Sequence, residues 1–152
     1  MDLIFYELTS TSMEKTLPKL LEKIYDTNQK AVVLIDSEER LETINASLWT
    51  YSTLAFLPHG CAKDSNSTSD RQPIWLTTKI ENPNHAEVLL ITSGAIFDDN
   101  CLGFKKCLDI FDSNIPDNLQ QAQKRYQFYQ NKGYPCVYWR QTLEGRWETA
   151  NP

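Results

Sequence analysis

The side chains that most often carry out chemistry in enzymes are few in this sequence, and they are scattered. Its two histidines, His59 and His85, lie far apart, and no two cysteines have the CxxC spacing of a zinc or redox site. The four cysteines are Cys61, Cys101, Cys107 and Cys136. The adjacent carboxylates Asp98 and Asp99 are more typical of a helix cap than of an acid–base pair, and no GxSxG nucleophile motif occurs. We therefore predict no catalytic residue, no metal site, no cofactor and four free thiols.

The turn that would hold a nucleotide phosphate lacks glycine. In nucleotide-binding α/β proteins, the turn after the first strand exposes backbone N–H groups to the phosphate, and glycines permit that close approach. Here the corresponding residues 7–12 read ELTSTS, and the five glycines of the chain are widely separated. Neither a GxGxxG fingerprint nor a P-loop is present. A small enzyme with a cryptic nucleotide site, assembled from residues distant in sequence, stays open as an alternative.

The chain is acidic and has the size of one domain. With 152 residues, a net charge of −5 and a pI of about 5.0, it can bury a core but would repel phosphates over most of its surface. The first residues, MDLIFYELTS, lack the basic region and the apolar run of a signal peptide. No stretch approaches the roughly 20 apolar residues of a membrane helix. We expect a cytoplasmic protein that binds neither nucleic acid tightly nor membrane.

Strand-like and helix-like patterns alternate from the beginning of the chain to its end. Strand-like runs of bulky or β-branched residues occupy positions 3–6, 31–35, 74–77, 88–92, 108–111 and 137–139. Helical periodicity covers residues 13–26, about 36–51, and 117–132, and Gly133 and Pro135 close the last helix. This alternation predicts one α/β domain with a mostly parallel sheet.

Four local expectations accompany this assignment. Pro18 should lie in the first turn of its helix or mark its start, because an interior proline costs about 3 kcal/mol. Asp36 and Glu39 have the spacing of a capping box for the second helix. Residues 104–108 are predicted to form a short helix. The segment 141–152 is expected to be a frayed tail.

Two segments have a composition that suggests binding surfaces. The first combines Trp49 with residues 56–62, FLPHGCA. It could be core followed by a rigid turn, or an apolar groove with polar handles that anchors a partner. The second, residues 123–135, is the last helix and its exit, and it could be a core face opposite a solvated face. It also places three basic residues beside aromatic ones: Lys124, Arg125 and Lys132.

Together these segments resemble the chi subunit family of bacterial DNA polymerase III. The blocks that carry the resemblance stand in the family's order and approximate spacing. They are FY at 5–6, LW at 48–49, FLPH at 56–59, LTT at 76–78, RYQFYQNKGYP at 125–135 and WR at 139–140. The resemblance covers about residues 3–140. It implies a single non-catalytic, Rossmann-like α/β domain over residues 1–140, with a mostly parallel central sheet flanked by helices on both faces.

The resemblance also implies an adaptor role in the clamp-loader assembly during DNA replication. Chi proteins bind the psi subunit, which links them to the clamp loader, and the C-terminal tail of single-stranded DNA-binding protein. By position, the psi-binding surface would comprise Trp49, Phe56, Leu57, Pro58 and His59. The tail-binding site would comprise Gln123, Lys124, Arg125 and Tyr126. In some relatives a DNA-repair helicase uses the psi-binding surface, so a helicase accessory is an alternative function.

The tail-binding site departs from the family pattern at Gln123. The family uses an arginine there to hold the tail's carboxylate, and it often carries basic residues where Gln127 and Gln130 stand. Charge-assisted hydrogen bonds are about twice as strong as neutral ones. We therefore expect binding in the micromolar range or weaker, about −8 kcal/mol at best, and tighter binding after Gln123→Arg. Lys124 or Arg125 could substitute as the cation, and their directions differ by about 100°, so only one should face the site.

Overall fold

The computed structural model describes residues 2–50, 58–61, 72–92 and 103–150. Eight strands and three helices lie in this part of the chain. The strands are β1 (Asp2–Leu8), β2 (Ala31–Leu34), β3 (Gly60–Cys61), β4 (Ile74–Thr77), β5 (Val88–Ile91), β6 (Lys106–Asp112), β7 (Cys136–Gln141) and β8 (Trp147–Thr149). The helices are α1 (Met13–Asp26), α2 (Glu38–Thr50) and α3 (Pro116–Asn131). None of these helices combines the length and the apolar character that crossing a membrane requires.

The described strands form one sheet in the order β3-β4-β2-β5-β6-β1-β7-β8. All neighbouring strands are parallel except β7 and β8, which are antiparallel. From β1 the chain passes through α1 to β2 on one side, and from β6 it passes through α3 to β7 on the other side. The direction of winding therefore reverses at β1. In such sheets the diverging loops leave a crevice at the carboxyl ends of the strands.

Both faces of the sheet are buried, which explains the continuous apolar runs of its central strands. Successive residues of a strand point to opposite faces, so Leu90 packs on the side of α1 and α2, and Leu89 on the side of α3. The first face is closed by apolar residues of α1 and α2, the second partly by Ala122 and Tyr129 of α3. The prediction of an α/β domain with a mostly parallel sheet and helices on both faces is confirmed.

Three local expectations are wrong. Pro18 lies inside α1, where its side chain is buried and this burial offsets part of the cost of the missing N–H. At the start of α2, the cap is Ser37 rather than Asp36, because the Ser37 Oγ accepts a hydrogen bond from the Arg40 backbone N–H at 3.2 Å. Residues 106–108 belong to β6 instead of a helix, because their backbone groups pair with β1 and β5 on either side.

The expected frayed tail is also wrong, because the chain after Gln141 continues into a hairpin. Strand β8 pairs with β7 through Trp139, Arg140 and Gln141, and the Ala150 N–H donates to the Tyr138 carbonyl. The Trp147 ring packs edge-on against Tyr6, with 5.2 Å between centroids. Residues 142–150 thus extend the sheet beyond its parallel part.

Candidate partner-binding surfaces

Trp49 projects from the surface near the end of α2. The helix buries Leu41, Ile44 and Leu48 against the sheet, and the next residue is rotated by about 100° around the helix axis. As a result, Trp49 is 54% exposed. Exposing this much of an indole ring to water is unfavourable. Tryptophan is also one of the residue types that contribute most to the binding energy of protein–protein interfaces.

His59 contacts the Trp49 ring from the segment that precedes β3. Their ring centroids are 4.5 Å apart. His59 is buried, and its Nε2 lies 2.8 Å from the Asn45 Oδ1 on α2. The contact restricts the rotation of the Trp49 side chain. A partner that binds there would therefore cause a smaller loss of side-chain entropy. Pro58, which is half-buried, stands next to His59 in the chain, and Phe56 and Leu57 lie outside the described residues.

The four residues predicted to bind the tail of single-stranded DNA-binding protein do not share one side of α3. Lys124 is exposed and lines a cleft at the carboxyl edge of the sheet. Gln123 is exposed outside the lining of that cleft. The ring of Tyr126, half-buried, packs edge-on against Tyr138 with 6.0 Å between centroids. Arg125 is buried.

Arg125 is the partner of a buried aspartate on β6. Its Nε donates to the Asp109 Oδ2 at 2.7 Å and its Nη2 to the Asp109 Oδ1 at 2.9 Å, a bidentate arrangement. Burial raises the pKa of Asp109, and the hydrogen bonds and charge of Arg125 oppose that rise. The guanidinium therefore links α3 to the sheet, and Lys124 is the exposed cation of the two.

The cleft that Lys124 lines has a volume of about 810 Å³. It is bordered by the first turns of α1, α2 and α3 and by the ends of β5 and β6, where the direction of winding reverses. Its charged lining is mixed and consists of Glu14, Asp36, Asp112, Asp117, Arg40, Lys124 and Arg125. Its apolar lining consists of Met13, Phe111, Ile115 and Phe128.

The loop between β1 and α1, which borders this cleft, already holds an internal ligand. The Gln141 Oε1 accepts hydrogen bonds from the backbone N–H groups of Thr9, Ser10 and Thr11 at 3.2, 3.0 and 3.1 Å. The Gln141 Nε2 donates to the Thr11 Oγ1 at 2.9 Å. Consecutive converging N–H groups form the kind of nest that binds anions in other proteins. Here the amide oxygen of Gln141 occupies the nest. No feature of the sequence indicated this role for Gln141.

A second buried polar cluster joins β1 to β7. Glu7 accepts hydrogen bonds from the Tyr138 hydroxyl at 2.5 Å and from the Arg140 Nε at 2.7 Å. Burial is the larger cause of the raised pKa of Tyr138, and its interaction with Glu7 is the next. The hydrogen bond to Glu7 also raises the pKa of Arg140. Both donors therefore keep their protons near neutral pH, and the cluster is a structural link between neighbouring strands.

Two of the described thiols, Cys107 and Cys136, lie in surroundings that favour the protonated form. No disulfide joins Cys61, Cys107 and Cys136, the cysteines that the structure describes, and Cys101 lies outside the described residues. Burial raises the pKa of Cys107 and of Cys136, which disfavours the reactive thiolate. Within the four described ranges, no group of three or more His, Cys, Asp or Glu side chains is placed to hold a metal ion.

Comparison with known proteins identifies the family. The family model described as "DNA polymerase III chi subunit, HolC" matches residues 1–137. The chain belongs to the chi subunit family. A probable DNA polymerase III subunit chi of Rickettsia prowazekii (strain Madrid E) is 39% identical over 88 residues, which cover 58% of this chain and 52% of that protein. The match thus spans about half the length of this curated relative.

The match to the chi family confirms the resemblance that the FLPH and RYQFYQNKGYP blocks carried. Chi is an accessory subunit of DNA polymerase III, so the family is one of replication proteins with partners inside the holoenzyme. The matched range contains Trp49, Pro58, His59 and all of α3. Most of β7, the hairpin and Gln141 lie beyond it.

Proposed function

We propose that this chain is a non-catalytic adaptor of the DNA polymerase III clamp-loader assembly, linking the psi subunit to the C-terminal tail of single-stranded DNA-binding protein. The observation that carries the proposal is the exposed Trp49, held by His59, in a chain of the chi family. An exposed aromatic fixed in place suits recognition of another protein better than it suits catalysis.

The Trp49 surface, defined as Trp49, Pro58 and His59, is the proposed docking site for psi. Binding would bury the exposed part of the indole, and tryptophans of this kind often cost about 2 kcal/mol or more when truncated. His59 contributes through its contact with the indole, because its Nε2 is already engaged by Asn45. Phe56 and Leu57 are proposed members of the same site.

The proposed second partner, the tail of single-stranded DNA-binding protein, binds at α3. In the family this tail ends in acidic residues, a proline and a terminal phenylalanine. Such a peptide needs a cation for its carboxylate and an apolar slot for its ring. Lys124 is exposed beside the half-buried ring of Phe128, which meets both requirements.

The test of the psi site is the affinity of purified psi subunit for Trp49→Ala, measured by calorimetry. We expect the affinity to fall at least about thirtyfold, the equivalent of about 2 kcal/mol. Ile80→Ala is the matched control, because Ile80 is another exposed apolar residue, distant in sequence from Trp49 and at 50% exposure. A thermal melt must accompany each variant. Full affinity of a folded Trp49→Ala would contradict this assignment, and so would equal losses in both variants.

A further inference from the structure

We propose that the end of the chain is a strap that closes an oxyanion site in the loop between β1 and α1. The strap consists of residues 141–150, from the last residue of β7 through β8. The site is the nest formed by the backbone N–H groups of Thr9, Ser10 and Thr11, and its ligand would be a tetrahedral oxyanion such as inorganic phosphate. This inference goes beyond the proposed adaptor function and depends on neither of its partners.

The three N–H groups of the nest converge on one point. All of them donate to a single atom, the Gln141 Oε1, at 3.2, 3.0 and 3.1 Å. An oxygen atom with three backbone donors at these distances has the surroundings of a bound anion's oxygen in other nests. α1 begins directly after the loop, at Met13, and the first turn of a helix adds partial positive charge. The loop therefore offers both donors and a favourable potential to an oxyanion.

The nest forms without glycine. Residues 7–12, ELTSTS, lack the glycines that let a phosphate approach the backbone in nucleotide-binding proteins. Among the described residues, positive φ angles outside glycine occur only at Asn28 and His85, so the three N–H groups converge in ordinary backbone conformations. The absence of glycine thus does not prevent this loop from presenting its donors. The space between the donors is filled by Gln141.

The hydroxyl groups of the same loop fasten the strap. The Thr9 Oγ1 donates to the Gln141 carbonyl at 2.7 Å, and the Ser10 Oγ donates to the Thr142 carbonyl at 3.0 Å. The Thr11 Oγ1 accepts a hydrogen bond from the Gln141 Nε2. Each residue of the nest is therefore bonded to the strap through its backbone and through its side chain. Gln141 is only 5% exposed, so a dissolved anion has little access to the donors.

The rest of the strap holds Gln141 in place over the loop. The Trp147 ring packs edge-on against Tyr6 of β1. A Cβ atom on Gly145 would lie 4.0 Å from the Ser10 Oγ, so the turn of the strap lies beside the loop. Because these contacts position the Gln141 amide, its effective concentration at the nest far exceeds that of a dissolved anion.

The occupant of the nest is neutral, whereas the donors favour an anion. Charge-assisted hydrogen bonds are about twice as strong as neutral ones, so a phosphate that reached the nest would form the stronger bonds. Closure therefore depends on the tethering of Gln141. Removing the amide while the rest of the strap stays in place should open the nest, and a carboxylate at position 141 should close it more firmly.

The experiment follows the three nest amides by NMR while inorganic phosphate is titrated into the full chain at constant ionic strength. In Gln141→Ala we expect saturable shifts of these signals with a dissociation constant on the order of 1–10 mM, a weak value because Glu14 lies in the first turn of α1. The native chain and Gln141→Glu should bind at least about tenfold more weakly. Gln130→Ala, which removes an exposed glutamine of α3, should behave like the native chain.

Hydrogen exchange tests the strap without phosphate. The three nest amides should exchange slowly in the native chain, because Gln141 accepts a hydrogen bond from each of them. In Gln141→Ala their exchange should be at least about tenfold faster. Gln141→Asn, whose side chain is one methylene shorter, should give the same results in both measurements and replaces Gln141→Ala if that variant does not fold.

The two measurements separate closure by the strap from recognition of an anion. Fast exchange of the nest amides in the native chain would overturn the strap. If these amides exchange faster in a folded Gln141→Ala or Gln141→Asn but do not respond to phosphate, the oxyanion site is wrong. Phosphate binding by the native chain that is as tight as binding by Gln141→Ala would also contradict the inference, because the strap would then not close the nest.

Discussion

Among single residues, Arg125 shows that a basic residue in a helix can bind a ligand or neutralise a buried carboxylate. In a helix with several cations, Arg125 resembles a ligand-binding residue, but it neutralises Asp109, which lies 16 residues earlier in the chain. A signal was present, because Asp109 interrupts the apolar run of residues 107–111, and a carboxylate in a strand buried on both faces needs a partner. Sequence alone could not select that partner, because the rotation of α3 is set by packing of its aromatic residues.

We predict that Arg125→Ala lowers the free energy of unfolding by about 3–5 kcal/mol, because it leaves a buried carboxylate without a partner. Burial would then raise the pKa of Asp109 without opposition. A carboxyl pKa that is higher in the folded state than in the unfolded state, where it is about 3.9, stabilises the folded protein at pH values below 3.9. This stabilisation is lost as the pH rises through the folded-state pKa. The deficit relative to the wild-type protein should therefore be smaller at pH 5 than at pH 8.

Denaturant unfolding at the two pH values measures this prediction. Lys124→Ala is the control, since it truncates the neighbouring exposed cation of the same helix and should change stability by no more than about 0.5 kcal/mol. Similar losses in both variants, or a deficit that grows as the pH is lowered, would contradict the account of the Asp109–Arg125 pair.

Among the helices and strands, the sequence predicted those whose own hydrophobic periodicity determines their structure. α1 and α3 follow their periodicity closely, and α3 ends before Gly133, whose φ of +85° favours glycine. The start of β6 and the strand β8 were missed, because they are short extended segments stabilised by neighbours distant in sequence. A strand of three residues such as β8 carries no periodicity of its own.

The loop between β1 and α1 also depends on a distant residue, and this leads to a prediction for Gln141. Gln141→Ala removes the acceptor of three backbone N–H groups and should lower the free energy of unfolding by about 2 kcal/mol. Gln141→Glu keeps an acceptor oxygen close to the start of α1, where negative charge is favourable, so its loss should be smaller. Chemical denaturation of the two variants compares them, and equal losses would show that the nest contributes nothing specific.

For the molecule as a whole, the sheet separates the two proposed binding surfaces. α2, which carries Trp49, packs with α1 on one face, and α3, which carries Lys124 and Phe128, packs on the other. Parallel strands with both faces covered form a close-packed layer between them. The proposed adaptor function would thus place its two proposed surfaces on opposite faces of a packed sheet.

This arrangement predicts that the two partners bind independently. Coupling needs a ligand that changes the affinity of the other site, and sites that share no contacting residues are additive to within about 0.5 kcal/mol. We therefore expect a peptide with the acidic Pro-Phe end of the tail to bind the chain with the same affinity, within about twofold, when the psi subunit is present at saturation. Trp49→Ala should likewise leave the affinity for the peptide unchanged while it lowers the affinity for psi.

Calorimetric titration of the peptide into the chain alone and into the preformed complex with psi measures both affinities. A change of tenfold or more would mean that the two partners share a surface or that the sheet transmits a conformational change, and in either case the separation of the two sites would be wrong.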